Sequence, residues 1–354
     1  MSTKSVIDAF ESWRAGGAPL VLATVVATEG STYTKAGHRI IIAANGDYQG
    51  LVSGGCLEGD LAEHAQAVAA GSPAKLVTYD MRDEADELFG TGVGCNGAIT
   101  ILLQRLDAEN DHEPFKTIVA AHHEPAGADA AVVVGGNDAV LGQTAIRLDD
   151  SIRTWGDDDG IAANLTSSLT GFDPTAQSGR RQIDAGDGPI DILLTRIPPL
   201  VRLLVLGAGP DALPLIRMAR ELGWLVTVAD HRDQAVKLAA PLANAAHCAP
   251  AARLSEQVNL DDFAAAVVMS HNLEADRTYL AQLADTRIAY LGILGPRARR
   301  DRLVDELRKT GSALDKKLHG PVGLDLGADS PEAIALSILA EIQGLVAERK
   351  HYHD

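Results

Sequence analysis

The sequence of 354 residues predicts an α/β protein, with a Rossmann-like, doubly wound parallel sheet in its C-terminal part and a mixed α+β domain before it. From Val201 onward, short apolar runs alternate with helical segments, which is typical of a parallel sheet covered by helices. The residues before it contain β-branched runs and the hairpin signal Asn45-Gly46. Pro198-Pro199 separates the two patterns, so we expect two domains, at 1–198 and 199–354.

In the N-terminal part, "LVLATVVAT" predicts a buried strand and "RIIIAANGDYQGLVSGG" predicts a hairpin. The segment "LEGDLAEHAQAVAAGSP" predicts a helix that buries Leu57, Leu61, Ala65 and Val68 on one face. The remaining predicted elements are a helix at 5–15, strands at 75–80 and 98–105, and strands over "TIVAAHH", "DAAVVVG" and "DILLTRI". We expect "TSSLTGFDPTAQSGRRQIDAGDG" to form a loop or irregular hairpins, and the whole of 107–197 to be scaffold.

In the C-terminal part, the strand segments are "VRLLVLGAGP", "WLVTVAD", "AAAVVMS" and "IAYLGIL". Helices are predicted near 211–222, 273–284, 297–309 and 331–348. The last helix should begin with Ser330 as its N-cap and Pro331 in its first turn.

The composition limits the classes of partner. The formal net charge is −17, which disfavours binding to nucleic acid or to an anionic membrane surface. No run of 18 apolar residues exists, and the N-terminus lacks the apolar region of a signal peptide. The three cysteines have no CxxC spacing, so neither a disulfide framework nor a zinc site is expected. We therefore expect a cytoplasmic protein with reduced thiols.

A dinucleotide-binding pattern follows the first C-terminal strand. Gly207, Gly209 and Ala212 form GxGxxA, and Asp230 ends the next strand at the distance that the pattern requires. Gly207 would permit the turn, Gly209 would admit a pyrophosphate, and Asp230 would bind a ribose hydroxyl. The alternative is that these glycines serve only the turn.

Nearby residues leave the choice of nucleotide open. Pro210 and Pro214 remove backbone donors where an anion would bind, and Arg232 leaves NAD and NADP equally possible. His271 follows a strand at the end where such sheets bind ligands, so it is a second candidate for contact with a cofactor. It could equally cap the next helix.

Two glycine-rich loops in the N-terminal part each contain a cysteine. In the first, Gly54, Gly55 and Cys56 precede a helix, so free backbone N–H groups and the helix dipole should favour an anion and a thiolate. A thiolate there could be a nucleophile or a ligand of a soft metal. The second loop places Gly94 beside Cys95. The alternative is that the glycines permit close packing and Cys56 is a small buried apolar residue.

Three polar residues of "TEGSTYTKAGHRI" could add donors to this site. They are Ser31, Lys35 and Arg39, although Arg39 begins a strand and could simply be solvated.

These segments resemble the XdhC/CoxI family, the xanthine dehydrogenase accessory factors, over nearly the whole chain. The N-terminal segments that are similar to the family are "ATVVATEGSTYTKAGHRIII", "GLVSGGCLEGDL" and "GTGVGCNG". The C-terminal ones are "LLVLGAGPDALPLIRMARELGWLVTVADHR", "VVMSHNLEAD", "YLGILGPRARRDRL" and "LHGPVGLDLGADSPEAIALSILAEI". The chain departs from the family at Thr34, where many members have arginine; Lys35 follows it and could supply a point charge but not a bidentate contact.

The resemblance implies a protein that binds the molybdenum cofactor, protects it during sulfuration by a cysteine desulfurase, and passes it to an apo molybdenum hydroxylase of the xanthine dehydrogenase type. We expect Cys56 to ligate the metal, and Glu58 to belong to the same binding loop. We expect a homodimer. Two other hypotheses remain: an NAD(P)-dependent oxidoreductase that uses the C-terminal pattern, and a regulatory or scaffold protein. No acid, base and substrate constellation accompanies the C-terminal pattern, so we predict a cofactor chaperone with no catalytic residues of its own.

Overall fold

The computed structural model describes residues 2–82, 97–186, 188–309, 314 and 317–351. The chain divides into two compact units, at 1–199 and 200–354.

The first sheet of unit 1 is antiparallel, with strand order β3-β2-β1-β5-β4. Its strands are β1 (Leu20–Gly30), β2 (Arg39–Ala43), β3 (Tyr48–Gln49), β4 (Lys75–Asp80) and β5 (Gly97–Leu106), and its helices are α1 (Thr3–Arg14) and α2 (Glu58–Ala69). The predicted hairpin between β2 and β3 is confirmed, because Gly46 adopts the positive φ of +91° that such a turn favours. The predicted apolar face of α2 is also confirmed. Leu57, Leu61, Ala65 and Val68 are all buried in one core with residues of β1, β2 and β5.

The second sheet of unit 1 is also antiparallel, with strand order β8-β7-β6-β10-β9. Its strands are β6 (Ala128–Gly135), β7 (Thr144–Leu148), β8 (Ser151–Trp155), β9 (Gly179–Asp184) and β10 (Pro189–Ile197), and its helices are α3 (Phe115–His123), α4 (Asp159–Leu169) and α5 (Pro174–Gln177). The two sheets share an apolar cluster formed by Val26, Leu102, Val132, Val134 and Leu193.

One prediction in this region is wrong, and another is confirmed only in part. The segment "TIVAAHH" belongs to α3 and is not a strand, since Phe115, Ile118, Val119 and His122 recur at helical spacing and are buried. Its β-branched residues suggested a strand, but packing of this face decides the structure. The segment at 166–188, expected to form a loop or irregular hairpins, contains the end of α4, α5 and β9. The hairpin alternative holds for β9, which pairs antiparallel with the following strand β10. Strand β9 lies at the edge of the sheet and is mostly exposed, which explains its polar sequence.

Unit 2 contains a parallel sheet with strand order β13-β12-β11-β14-β15-β16. The strands are β11 (Arg202–Leu206), β12 (Leu225–Asp230), β13 (Ala245–Cys248), β14 (Ala265–Val268), β15 (Tyr290–Ile293) and β16 (Leu318–His319). The helices are α6 (Ala212–Glu221), α7 (Asp233–Ala239), α8 (Leu273–Leu283), α9 (Arg297–Arg308) and α10 (Pro331–His351). The Ser330 hydroxyl accepts a hydrogen bond from the Ala333 N–H, which confirms the predicted cap.

Alternate residues of β11 lie in two separate cores, one on each side of the sheet. Leu203 and Val205 belong to one core, and Leu204 and Leu206 to the other. This arrangement confirms the predicted doubly wound, Rossmann-like sheet. The strand order reverses between β11 and β14, so the ends of these two strands border the position where such folds bind ligands. Within the described ranges, no helix has the length and apolar character needed to cross a membrane.

Candidate functional site

The first glycine-rich loop lies between β3 and α2, and one hydroxyl organises it. The Ser53 Oγ accepts hydrogen bonds from the backbone N–H groups of Gly55, Cys56 and Leu57, at 3.2, 3.1 and 3.1 Å. Gly55 has φ +108°, a conformation that favours glycine. The expectation that these N–H groups are free for an anion is therefore wrong, because the side chain of Ser53 already occupies them.

The side chain of Glu58 also stabilises this loop. Its buried carboxylate accepts hydrogen bonds from the N–H groups of Val52 and Ser53, at 2.9 and 2.8 Å, and from the Ser53 hydroxyl at 2.7 Å. Burial acts to raise the pKa of Glu58, but the hydrogen bonds from Ser53 and Val52 outweigh it and hold this pKa below its ordinary value. The carboxylate is fully buried and holds the loop, and the contact of Glu58 with a ligand stays a prediction.

Cys56 lies on the surface of the loop, directly before α2, and is exposed. The alternative of a buried packing cysteine is therefore wrong. A Cβ atom added to Gly54 or Gly55 would meet no described atom within 4 Å, so these glycines do not serve close packing against the described part of the chain. The loop thus presents a thiol beside an open surface that a ligand could approach.

A second segment, at 31–37, is attached to this loop. The Thr34 side chain is buried, and its hydroxyl donates a hydrogen bond to the Val52 carbonyl at 3.0 Å. Thr34 therefore has a structural contact and does not carry a charge. Ser31 and Lys35 are exposed on either side of this attachment.

Arg39 lies on a different face of the sheet. It neighbours Ile40, which packs in the core with α2, and successive residues of a strand point to opposite faces. The Arg39 side chain is partly buried, and this burial lowers the pKa of its guanidinium to about 10. Strand β2 directs Arg39 away from α2, so the structure does not bring it to the Cys56 loop.

His38, which the sequence reasoning did not single out, borders the loop instead. Its Nε2 is buried without a hydrogen-bond partner in the described structure. Burial lowers the pKa of His38, although a hydrogen bond with the Leu51 backbone opposes this effect. No sequence pattern marks this histidine, because its burial depends on how the loop folds over the end of β2.

The second cysteine loop cannot be compared with its prediction, since Gly94 and Cys95 lie outside the described residues. Within the described ranges, no group of three or more histidine, cysteine, aspartate or glutamate residues could hold a metal ion.

The glycine turn of unit 2 follows β11. Gly207 has φ +116°, and a Cβ atom there would lie 2.5 Å from the Met269 carbonyl oxygen and 2.7 Å from Ser270 Cα. Glycine is therefore required for the close packing of this turn against the end of β14, whether or not a nucleotide binds.

The carboxylate of Asp230 is buried and already has several hydrogen-bond donors. It accepts from the Ala208 N–H at 2.8 Å, from the Arg232 N–H at 2.9 Å and from the Arg232 guanidinium at 2.6 and 3.0 Å. Burial acts to raise the pKa of Asp230, but the hydrogen bonds from Arg232 and Ala208 lower it to about 2. Asp230 thus fixes the turn to the end of β12 and offers little free acceptor capacity to a ribose.

His271 has a left-handed backbone conformation, with φ 57°, and its Nε2 lies 2.8 Å from Asp211 Oδ2. The alternative that His271 caps α8 is wrong, because the Asn272 side chain accepts hydrogen bonds from Glu274 N–H and Ala275 N–H, both at 3.0 Å. His271 follows β14, next to the point where the strand order reverses, and has an uncommon backbone conformation. Such a conformation indicates that a specific contact holds the residue in place.

The loop, the two sheets of unit 1 and the Rossmann-like sheet of unit 2 together define a class of protein. The chain matches the model described as "XdhC and CoxI family" over residues 13–80 and the model described as "XdhC Rossmann domain" over residues 203–342. The chain belongs to the XdhC and CoxI family.

Three similar proteins support this membership over most of the chain. The chain is 31% identical to a probable xanthine dehydrogenase subunit of Bacillus subtilis, over 91% of this chain and 92% of that protein. It is 22% identical to the "Molybdenum cofactor insertion chaperone PaoD" of Escherichia coli, over 92% of this chain and 83% of that protein. A crystal structure described as a xanthine dehydrogenase from Bacillus halodurans superposes with a TM-score of 0.78 at 28% identity, covering 99% of this chain and 97% of that one.

Proposed function

We propose that this chain is an accessory factor of a xanthine dehydrogenase-type molybdenum hydroxylase, which binds the molybdenum cofactor and delivers it to the apo enzyme. Family membership supports this role, as do the names of relatives that match nearly the whole chain. The more detailed part of the proposal is that the cofactor stays bound here during sulfuration by a cysteine desulfurase.

The observation that carries the proposal is the exposed thiol of Cys56 beside the open positions of Gly54 and Gly55. The molybdenum cofactor is a pterin with a phosphate group, and its dithiolene sulfurs bind the metal. A cysteine thiolate is a soft ligand that suits a metal already bound by sulfur. The described residues therefore fit the metal end of this cofactor.

The phosphate end requires other donors than the loop N–H groups, because Ser53 Oγ occupies those of Gly55, Cys56 and Leu57. Lys35 is exposed and directly follows Thr34, whose hydrogen bond attaches this segment to the loop. An ammonium group binds phosphate as a point charge. We assign the phosphate contact to Lys35, with Ser31 on the other side of the attachment.

The hydrogen bonds of Glu58 and Ser53 order the loop before any ligand binds. A buried carboxylate with three donors holds Val52 and Ser53, and Ser53 in turn holds Cys56. A pre-ordered loop reduces the entropy lost when the cofactor binds. A single surface thiolate, in contrast to a closed set of ligands, leaves the metal accessible to the desulfurase and to the acceptor enzyme. This combination suits a protein that binds a cofactor and then releases it.

The proposal is tested by purifying the full chain from a host grown with and without molybdate. We expect molybdenum and pterin to copurify in equal amounts, measured by metal analysis and by the fluorescence of the oxidised pterin. Incubation with an apo xanthine dehydrogenase should then transfer the molybdenum and restore its activity, and addition of the desulfurase should increase that activity. The proposal would be contradicted if the protein from the molybdate-replete host contained no pterin and, after addition of isolated cofactor, transferred no molybdenum to the apo enzyme.

A further inference from the structure

The glycine turn of unit 2 holds a carboxylate where a nucleotide-binding turn would admit a phosphate. A Cβ atom added to Gly209 would lie 2.5 Å from Asp211 Oδ1, so this carboxylate covers the glycine. In a dinucleotide site, the glycine at this position is needed because the pyrophosphate approaches the backbone there. Two negatively charged groups would thus compete for the same space.

Asp211 is held in this position by His271. Asp211 precedes α6 at its N-cap, yet its side chain makes no capping hydrogen bond to that helix. It instead lies 2.8 Å from His271 Nε2. His271 keeps a left-handed backbone conformation that is uncommon for a residue with a side chain, and its contact with Asp211 links the turn after β11 to the end of β14. The contact with His271 thus favours the position of the Asp211 carboxylate over Gly209.

The surrounding charges do not favour phosphate either. The Arg232 guanidinium is directed to Asp230, at 2.6 and 3.0 Å, and is not presented to the turn as a free cation. The Ala208 N–H, which could otherwise bind an anion, donates to Asp230 at 2.8 Å. Pro210 has no N–H to donate. The residues at this turn therefore do not fit the NAD(P) that a Rossmann-like sheet implies.

We propose that Asp211, positioned by His271, excludes phosphate-bearing nucleotides from the glycine turn of unit 2. The pair thus determines specificity: it keeps an otherwise typical nucleotide fold free of NAD(P) and similar nucleotides. Asp211 and His271 both belong to unit 2, and their proposed role does not depend on the cofactor proposed for unit 1.

The test is a gain of binding in the full chain, measured by isothermal titration calorimetry with ADP and with NAD⁺. Asp211→Ala removes the carboxylate, and Asp211→Asn keeps its shape while removing its charge. Because like charges repel at a binding site, we expect wild type to show no saturable binding at millimolar nucleotide. Both variants should bind with a dissociation constant at least about tenfold below the highest nucleotide concentration at which wild type shows no binding. His271→Ala frees Asp211 but leaves it charged, so its gain should be smaller.

Asp285→Ala is the matched control. Asp285 is exposed and follows the C-terminal end of α8, whereas His271 precedes the N-terminal end of the same helix. The substitution therefore removes one negative charge far from the turn. This control should bind as wild type does. Wild type that already binds NAD⁺ or ADP as tightly as the Asp211 variants would overturn the proposal. So would Asp211→Ala and Asp211→Asn proteins that melt as wild type does and still bind neither nucleotide.

Discussion

The Ser53 hydroxyl lies 2.7 Å from the buried carboxylate of Glu58, and the same oxygen accepts the backbone N–H of Cys56 at 3.1 Å. A residue that is fully buried therefore controls the position of a residue that is exposed. The position of the Cys56 backbone therefore depends on Glu58 through Ser53.

We expect Glu58→Gln to lower both stability and cofactor retention. The change replaces one carboxylate oxygen by an NH₂ group and removes the charge, so at least one hydrogen bond from Val52, Ser53 N–H or the Ser53 hydroxyl is lost. Hydrogen bonds to a charged group contribute about 1.5–3 kcal/mol each, so a loss of about 2 kcal/mol is expected. The melting temperature of unit 1 and the molybdenum content measure the two effects. Glu63→Gln, on the exposed side of the same helix, should change neither.

Thr34→Val tests the attachment of the 31–37 segment to the loop. Valine keeps the size of the side chain and leaves the Val52 carbonyl without its donor, which should cost about 1–2 kcal/mol. Cofactor affinity should fall as well, because Lys35 is no longer held beside the loop. Thr34→Ser restores the hydroxyl and should restore affinity. Equal cofactor affinity in wild type and Thr34→Val would show that the segment takes no part in binding.

Asp230 should make the stability of unit 2 depend on pH in the acid range. Folding lowers its pKa from 3.8 to about 2, so its carboxylate stabilises the fold above pH 4, and this contribution is lost as the pH falls toward 2. The shift corresponds to about 2 kcal/mol. Asp230→Asn should therefore melt well below wild type at pH 6, with a smaller difference at pH 3. The exposed Asp233→Asn is the control, and a difference that stays constant with pH would contradict the assignment.

Limited proteolysis tests the domain boundary near Pro198-Pro199. The chain divides into compact units at residue 199, so a protease should cut between 185 and 205 and release a stable piece that begins near residue 200. Mass spectrometry of the fragments identifies the cleavage sites. Cuts within 201–230 in the absence of cuts between 185 and 205 would show that the boundary lies elsewhere.

Periodic patterns in the sequence were enough to predict most of the fold. The face of α2, the hairpin at Asn45-Gly46 and the alternating strands and helices of unit 2 all follow from local spacing and turn chemistry. The helix α3 could not be predicted in this way, because its β-branched residues favour a strand until packing of its buried face decides otherwise.

The candidate site was less predictable, since it depends on side-chain contacts within the loops. The glycines indicated a turn before Cys56, but not that Ser53 Oγ would accept the N–H groups expected to be free. In unit 2, GxGxxA predicted the turn correctly, whereas the position of Asp211 over Gly209 depends on His271, sixty residues away in the sequence.

Molybdenum content and melting temperature, measured together for Cys56→Ala, test most directly whether Cys56 binds the molybdenum of the cofactor. Cys56 is exposed, so its replacement should change stability by no more than about 0.5 kcal/mol. Cys248→Ala is the matched control, because Cys248 is also an exposed free cysteine and lies in unit 2. We predict that Cys56→Ala melts as wild type does and loses its molybdenum, while Cys248→Ala keeps it. A Cys56→Ala protein that retains as much molybdenum as wild type would contradict the claim.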